Sequence, residues 1–149
     1  MKETMNVWYS TNENAWLSNL AHRPISDVYG RKFVTVEHAY QTYKSGVFDE
    51  ATYKADWAPG RKIVGKLGTK TEGNWNIRLM ERLVIASVDQ NDWFRDDLNT
   101  IPLDMIITHK QDRGIWREEF PNILKNAQNH AYRLVGELQE QQALRYASL

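Results

Sequence analysis

The chain has 149 residues, 42% hydrophobic and 26% charged, with 19 basic and 19 acidic side chains and no cysteine. That length and balance suit one globular domain over residues 1–149 and exclude a disordered or fibrous chain. Zero net charge excludes a basic field for unspecific nucleic-acid binding and favours small-molecule ligands; the absent thiols exclude disulfides, thiolate metal sites and cysteine nucleophiles.

From Met1 to Tyr9 there is no apolar leader core, and nowhere do 18 apolar residues run together. A cytoplasmic protein with no membrane association is the simplest reading. Val7 to Ser10, the stretch around Pro24 and Ile25, and Tyr29-Gly30 with Phe33-Val34 read as short strands and turns. At Thr35 the period becomes helical. Thr35 is the expected N-cap, with Val36, Tyr40, Tyr43 and Val47 on one stripe and Gly46 near the end. A second short helix is expected from Asp49 to Trp57, stopped by Pro59 and Gly60.

Asn74 to Val88 predicts a long helix, because Ile77, Met80, Val84 and Val88 recur at spacings of three and four while Arg78 and Arg82 take another face. Asp92 can cap a further turn carrying Trp93, Phe94 and Leu98, and Leu103 to Ile107 is a β-branched strand candidate. Thr108 to Trp116 is polar and turn-like. The last helix is expected from Pro121 past Leu138, with Leu124, Ala127, Ala131, Leu134, Val135 and Leu138 as its buried stripe and a frayed tail after Gln139. Helices and strands do not alternate in βαβ order, so the fold class is α+β, a mainly helical domain with a few short strands.

Glu37, Gln41 and Lys44, at i, i+4 and i+7 on the Thr35 helix, form one polar row beside the apolar stripe. Groups at such an edge are half withdrawn from water, which shifts pKa values towards neutrality. The Cα atoms of Glu37 and Lys44 stand about 10 Å apart by helical rise, leaving room for a furanose between the side chains. A carboxylate beside a ribose activates water or stabilises an oxocarbenium ion, and a desolvated lysine can form a Schiff base with an opened ribose. Spacing alone also allows a solvated face.

Ser18 and Asn19 suit either ribose hydroxyls or a local turn, and Asp112-Arg113-Gly114 reads equally as an acid and as a structural turn. Arg61, Lys62, Lys66 and Lys70 gather around Gly60, Gly65 and Gly68 as a phosphate grip or a solvated surface turn. The same stretch nearly spells a P-loop, but Leu67 stands where magnesium needs a hydroxyl, which excludes an NTPase. The four histidines are scattered, so no metal and no cofactor is expected. His38 points to another helix face than Glu37 and reads as packing or capping.

Several segments carry a resemblance: Val7-Trp8-Tyr9-Ser10, Trp16-Leu17-Ser18-Asn19-Leu20, Val36-Glu37-His38-Ala39-Tyr40-Gln41-Thr42-Tyr43-Lys44 and Lys66-Leu67-Gly68. In this order, over about Val7 to Trp116, the chain resembles the NADAR superfamily, which includes the YbiA-like N-glycosidases. The resemblance implies cleavage of a ribose–nitrogen bond in an ADP-ribosylated guanine base or a phosphoribosyl aminopyrimidine of riboflavin synthesis. The implied partner is thus a small nucleotide or ADP-ribosyl substrate, free or carried on nucleic acid. By carry-over Glu37 matches the catalytic glutamate, Lys44 the candidate covalent lysine, and Trp75 a tryptophan that stacks on the substrate or staples the helix to the core.

The chain departs from the family pattern after the Leu103–Ile107 strand. The family carries a glutamate there, then an aspartate and Trp-Gly; here stand Thr108, His109, Asp112 and Trp116-Arg117, with the aspartate-to-tryptophan spacing one residue longer. Asp112 or His109 is expected to take the second acid/base role, with Trp116, Gln41 and Lys66 among the substrate contacts. The alternative is a catalytically altered module that binds ADP-ribose or a nucleotide without cleaving it.

Overall fold

The structure is a computed structural model describing residues 3–67 and 74–147. Its elements run in the order β1 (Thr4–Asn6), a 3-10 turn (Ala15–Leu17), β2 (Ile25–Ser26), β3 (Lys32–Phe33), α1 (Val36–Tyr43), α2 (Glu50–Tyr53), α3 (Trp75–Gln90), α4 (Asp92–Leu98), β4 (Ile106–Thr108) and α5 (Trp116–Ala147). This is the mainly helical α+β arrangement expected from the order of patterns.

Helix α1 begins where Thr35, in extended conformation, accepts the His38 N–H on its hydroxyl at 3.0 Å. It is buried almost all round: Val36 and Tyr40 join Val84, Val88, Leu124 and Ala127 in the main core, while Ala39 meets Ile25 and Phe33 of the β2–β3 hairpin. Helix α3 packs on α5, and α4 on both. Full burial of side chains such as Val84, Phe94 and Leu124 contributes about 1.5–3 kcal/mol each. No helix among the described residues is long and apolar enough to cross a membrane.

Several boundaries differ from the sequence reading. The first strand is Thr4–Asn6, not Val7–Ser10, because parallel pairing with β4 (Thr4 with Ile106, Met5 with Ile107, Asn6 with Thr108) sets its register. Trp8 forms only a bridge to Glu13, and the chain turns at Tyr9 and Ser10. The later strand is Ile106–Thr108, with Leu103 exposed before it. Helix α1 ends at Tyr43, and Gly46 at φ 92° turns the chain, leaving Val47 exposed outside the stripe. Helix α2 is one turn, capped by Asp49; Trp57 lies beyond it and returns its indole N–H to the Thr52 carbonyl at 2.7 Å.

Asn91, not Asp92, takes the N-cap position of α4. Helix α5 begins at Trp116 and passes through Pro121. The Arg117, Glu118 and Glu119 N–H groups find the carbonyls of Gly114 and Ile115, donors that a proline further along does not disturb. The helix continues past Gln139 to Ala147 as an exposed arm, and Leu138 is exposed and not part of the buried stripe.

Candidate active site

Strands β1 and β4 run parallel, and the chain following both leads to a cavity of about 300 Å³. The pairing continues one step past the strands, where Val7 N–H donates to the Thr108 carbonyl at 3.0 Å. Beyond that step the two chains part, which places Trp8 and Tyr9 from one and His109 and Asp112 from the other around the same space. Helix α1 adds Glu37 and Gln41, the loop after the 3-10 turn adds Ser18 and Asn19, and α5 adds Trp116. Tyr40, Met80 and Phe120, all buried, supply apolar surface.

Glu37 is only 8% exposed. Its Oε1 accepts the Gln41 side-chain amide at 2.7 Å, its Oε2 accepts the Asn19 amide, and its main-chain N–H donates to the Asn19 carbonyl at 3.0 Å. Burial pushes its pKa up; the Gln41 bond, the charges of Lys62 and Lys44 and the Asn19 bond oppose that rise without cancelling it. The result is a carboxyl held in one orientation, with a lone pair left on each oxygen and a greater tendency to carry a proton than an exposed glutamate has.

This shift has a consequence for stability. A carboxyl whose folded pKa lies above its unfolded value binds protons more tightly when folded, so its contribution falls as pH rises through that window. Unfolding measured against pH should therefore show wild type losing stability relative to Glu37→Gln between the ordinary glutamate pKa and the raised one. Parallel curves for the two proteins would mean that Glu37 is not held in a desolvating site.

His109 is buried, and its Nδ1 lies 2.9 Å from the Val7 carbonyl, which can only accept. Nδ1 therefore carries a hydrogen, which leaves Nε2 for a second partner. That nitrogen is 3.5 Å from Asp112 Oδ2. Asp112 Oδ1 accepts the Gly114 N–H at 2.8 Å, so Asp112 serves the turn and lines the cavity with one carboxylate. The His109 ring is braced between Trp8 and Phe120, each with its centroid 5.2 Å away.

The segment 60–67 crosses α1 as a strap. Gly60, at φ 80°, donates its N–H to the Leu20 carbonyl at 2.8 Å, and Gly65 N–H donates to Gln41 Oε1 at 2.9 Å. Lys66 N–H reaches Asp49 Oδ2 at 3.1 Å. A Cβ on Gly65 would stand 2.1 Å from the Gln41 carbonyl oxygen, so only glycine lets the strap lie this close. The strap delivers Lys62 to the cavity, its ammonium 5.6 Å from the centroid of the Trp8 ring. No strand precedes the strap, in keeping with the rejection of a P-loop, while Gly68 and Lys70 lie outside the described residues.

Of the residues singled out in the sequence, Glu37, Gln41, Ser18, Asn19, His109, Asp112 and Trp116 converge on the cavity. Lys44, Trp75 and Lys66 do not line it. Lys44 caps the end of α1, its amine pushed towards the neutral form by burial and back by the charge of Glu37. The Trp75 indole donates to the Lys44 carbonyl at 3.2 Å and packs on the core, stapling α3 to α1. Lys66 is exposed and engages through its main chain. Thr108 donates its hydroxyl to Asn6 Oδ1 at 2.8 Å and also lies off the cavity.

His38 accepts the Val34 N–H on Nδ1 at 3.0 Å and faces the Tyr53 carbonyl with Nε2 at 2.9 Å, the structural role expected of it. Trp8, Tyr9 and Lys62 line the cavity without having been assigned to it from the sequence. The first two stood within a family-like segment, and Lys62 within the basic run read as a phosphate grip or a solvated surface turn.

Among solved structures, the chain is similar to the E. coli protein YbiA, determined by NMR. The match has a TM-score of 0.64 at 22% sequence identity and covers 94% of this chain and 90% of that one. At that identity the likeness is one of fold. No family model matches the sequence, and neither does a curated protein.

Proposed function

We propose that this YbiA-like fold carries an N-glycoside hydrolase that cleaves a ribose–nitrogen bond in an ADP-ribosyl or phosphoribosyl substrate. The observation that carries the reading is Glu37: a buried carboxyl of raised pKa, held by two amides and opening on a cavity shared with a second carboxylate, Asp112. The resemblance of the Glu37–Lys44 segment to NADAR proteins supports the same chemistry.

In this reading Glu37 is the general acid. It donates its proton to the leaving nitrogen as the C1–N bond breaks and positive charge develops on the sugar. Asp112, with His109 Nε2 beside it, takes a proton from the water whose oxygen forms the new bond to C1. The proton is later returned to Glu37 through solvent, so the sum is addition of one water. Trp8, Tyr9 and Trp116 offer aromatic surface to the base, Ser18 and Asn19 polar groups to the ribose, and Lys62 a cation to a phosphate.

The covalent role that the resemblance implies for Lys44, which does not line the cavity, is an alternative to attack by water: its amine condenses with an opened ribose and loses water to give a Schiff base. Reduction with borohydride during turnover should then leave the sugar on the peptide containing Lys44. An unlabelled peptide in an active enzyme would limit Lys44 to electrostatic support of Glu37.

The deciding experiment is mass spectrometry of the protein incubated with an ADP-ribosylated guanine oligonucleotide and, separately, with a riboflavin-pathway phosphoribosyl aminopyrimidine. Release of base and sugar from either establishes the N-glycosidase and selects its substrate. Calorimetric binding without product favours the alternative reading, a module that binds the ligand and no longer cleaves it.

A further inference from the structure

Arg23 is the most deeply buried cation among the described residues, with no exposed surface. Its guanidinium stacks 3.9 Å from the centroid of Phe94, donates from Nε to Ser87 Oγ at 2.9 Å, and donates from Nη1 to the carbonyls of Trp16 at 2.9 Å and Ser18 at 3.1 Å. None of these partners is a carboxylate, and Nη2 has no hydrogen-bond partner among the described residues. Burial lowers its pKa to about 9, so it still carries a charge at neutral pH. A cation withdrawn from water without a counter-ion is a poor way to stabilise a core, where an apolar side chain of similar volume often does as well or better.

What this cation holds is the loop that holds Glu37. Ser18 precedes Asn19, whose carbonyl and side-chain amide both engage Glu37. The Ser18 carbonyl takes Arg23 Nη1 and the Ala21 N–H, at 3.1 Å each, and the Ser18 hydroxyl takes the Leu20 N–H at 3.0 Å. The peptide plane between Ser18 and Asn19 is thus fixed by the guanidinium on one side and a turn on the other. That plane sets the direction from which the Asn19 amide meets the carboxyl.

We propose that Arg23 is a positioning residue for Glu37: from beneath the cavity wall it locks the Trp16 and Ser18 carbonyls and so holds the Asn19 amide on the Glu37 carboxyl. This rests on Glu37 as the working group for its consequence in turnover, but not for its test. The ionisable groups around Glu37 are Lys62, Lys44 and Tyr40, with His109 and Asp112 lining the same cavity. Arg23 does not line the cavity, so it must act through the loop.

The test is NMR titration of the Glu37 carboxyl carbon in the substrate-free protein, assigned with Glu37→Gln, in wild type, Asn19→Ala, Arg23→Met and the double variant. Asn19→Ala removes a bond that favours the ionised carboxyl and should move the titration up by about one pH unit. Arg23→Met should move it in the same direction by a similar amount, and the double variant no further. A folded Arg23→Met that titrates as wild type would overturn the proposal. So would shifts that add in the double variant, since a direct charge effect survives the loss of Asn19. If Arg23→Met does not fold, Arg23→Lys keeps the charge and loses the fork, and is expected to shift the titration likewise; a wild-type titration there overturns the proposal equally. Because no substrate is present, failure of hydrolysis and failure of this coupling are read separately.

Discussion

Glu37→Gln should lower turnover by about three orders of magnitude, within the range that general acid–base groups contribute, while leaving the fold intact. The variant keeps the shape of the site. Gln41 is committed through its Oε1 to the Gly65 N–H and must present its amide nitrogen to residue 37, so the new side chain turns its own carbonyl towards Gln41. Its amide nitrogen then faces Asn19, whose amide can reverse to accept it. What is lost is the proton. In wild type, activity should decline as pH rises through the raised Glu37 pKa, because the acid form is the working one. Product release by mass spectrometry, with a wild-type unfolding transition as control, measures both. Full turnover in Glu37→Gln would remove the central assignment.

Gly65→Ala is expected to have the second largest effect, although residue 65 touches no substrate in this reading. The added methyl would meet the carbonyl oxygen of Gln41 at 2.1 Å and its carbonyl carbon at 2.9 Å, both backbone atoms of a buried helix that cannot yield. The strap must lift instead. Lifting breaks the Gly65 bond to Gln41 and the Lys66 bond to Asp49, frees Gln41 to rotate off Glu37 and withdraws Lys62 from the cavity. Stability should fall by about 1–3 kcal/mol, and kcat/KM by about 10- to 100-fold. Thermal unfolding and steady-state kinetics report these separately. Wild-type kinetics in a protein with a lowered Tm would show that the strap serves the fold and not the site.

The two variants probe one connection from opposite ends. Gln41 accepts from the strap with its oxygen and donates to the carboxyl with its nitrogen, so the strap and Glu37 are held by a single side chain. Asn19 does the same on the other carboxyl oxygen, backed by the Ser18 loop and Arg23. Glu37 is oriented by neutral donors on both sides, which fix its geometry while leaving its charge only partly compensated. That combination holds the carboxyl pKa above that of an exposed glutamate.

The helices and the α1 row were legible because each is a local pattern. Thr35 caps at a fixed offset, Val36 and Tyr40 recur at the helical period, and Glu37 and Gln41 share a strip by the geometry of one helix. His38 was legible as structural for the same reason. Asp112 could be read as a turn residue and as an acid from three adjacent positions, and it is the turn that the hydrogen bond to Gly114 supports directly.

What joins those pieces was decided by contacts between distant parts of the chain. The register of β1 depends on β4, a hundred residues later, and the same pairing brings His109 to the Val7 carbonyl. Lys62 reaches the cavity only because Gly65 and Lys66 bind side chains of α1 and the cap of α2. Lys44 and Trp75 stand away from it: Lys44 shares the strip of Glu37 but lies about two turns further along, at the C-cap of α1, where its carbonyl accepts the Trp75 indole N–H. Arg23 carried no signal at all: a single arginine beside a proline looks like surface until Phe94, Ser87 and two loop carbonyls close around it. Periodicity, capping and turn chemistry act over a few residues and can be read from their order. Burial and the partners of a buried charge arise only when elements far apart in the chain exclude water together, and only the tertiary structure decides them.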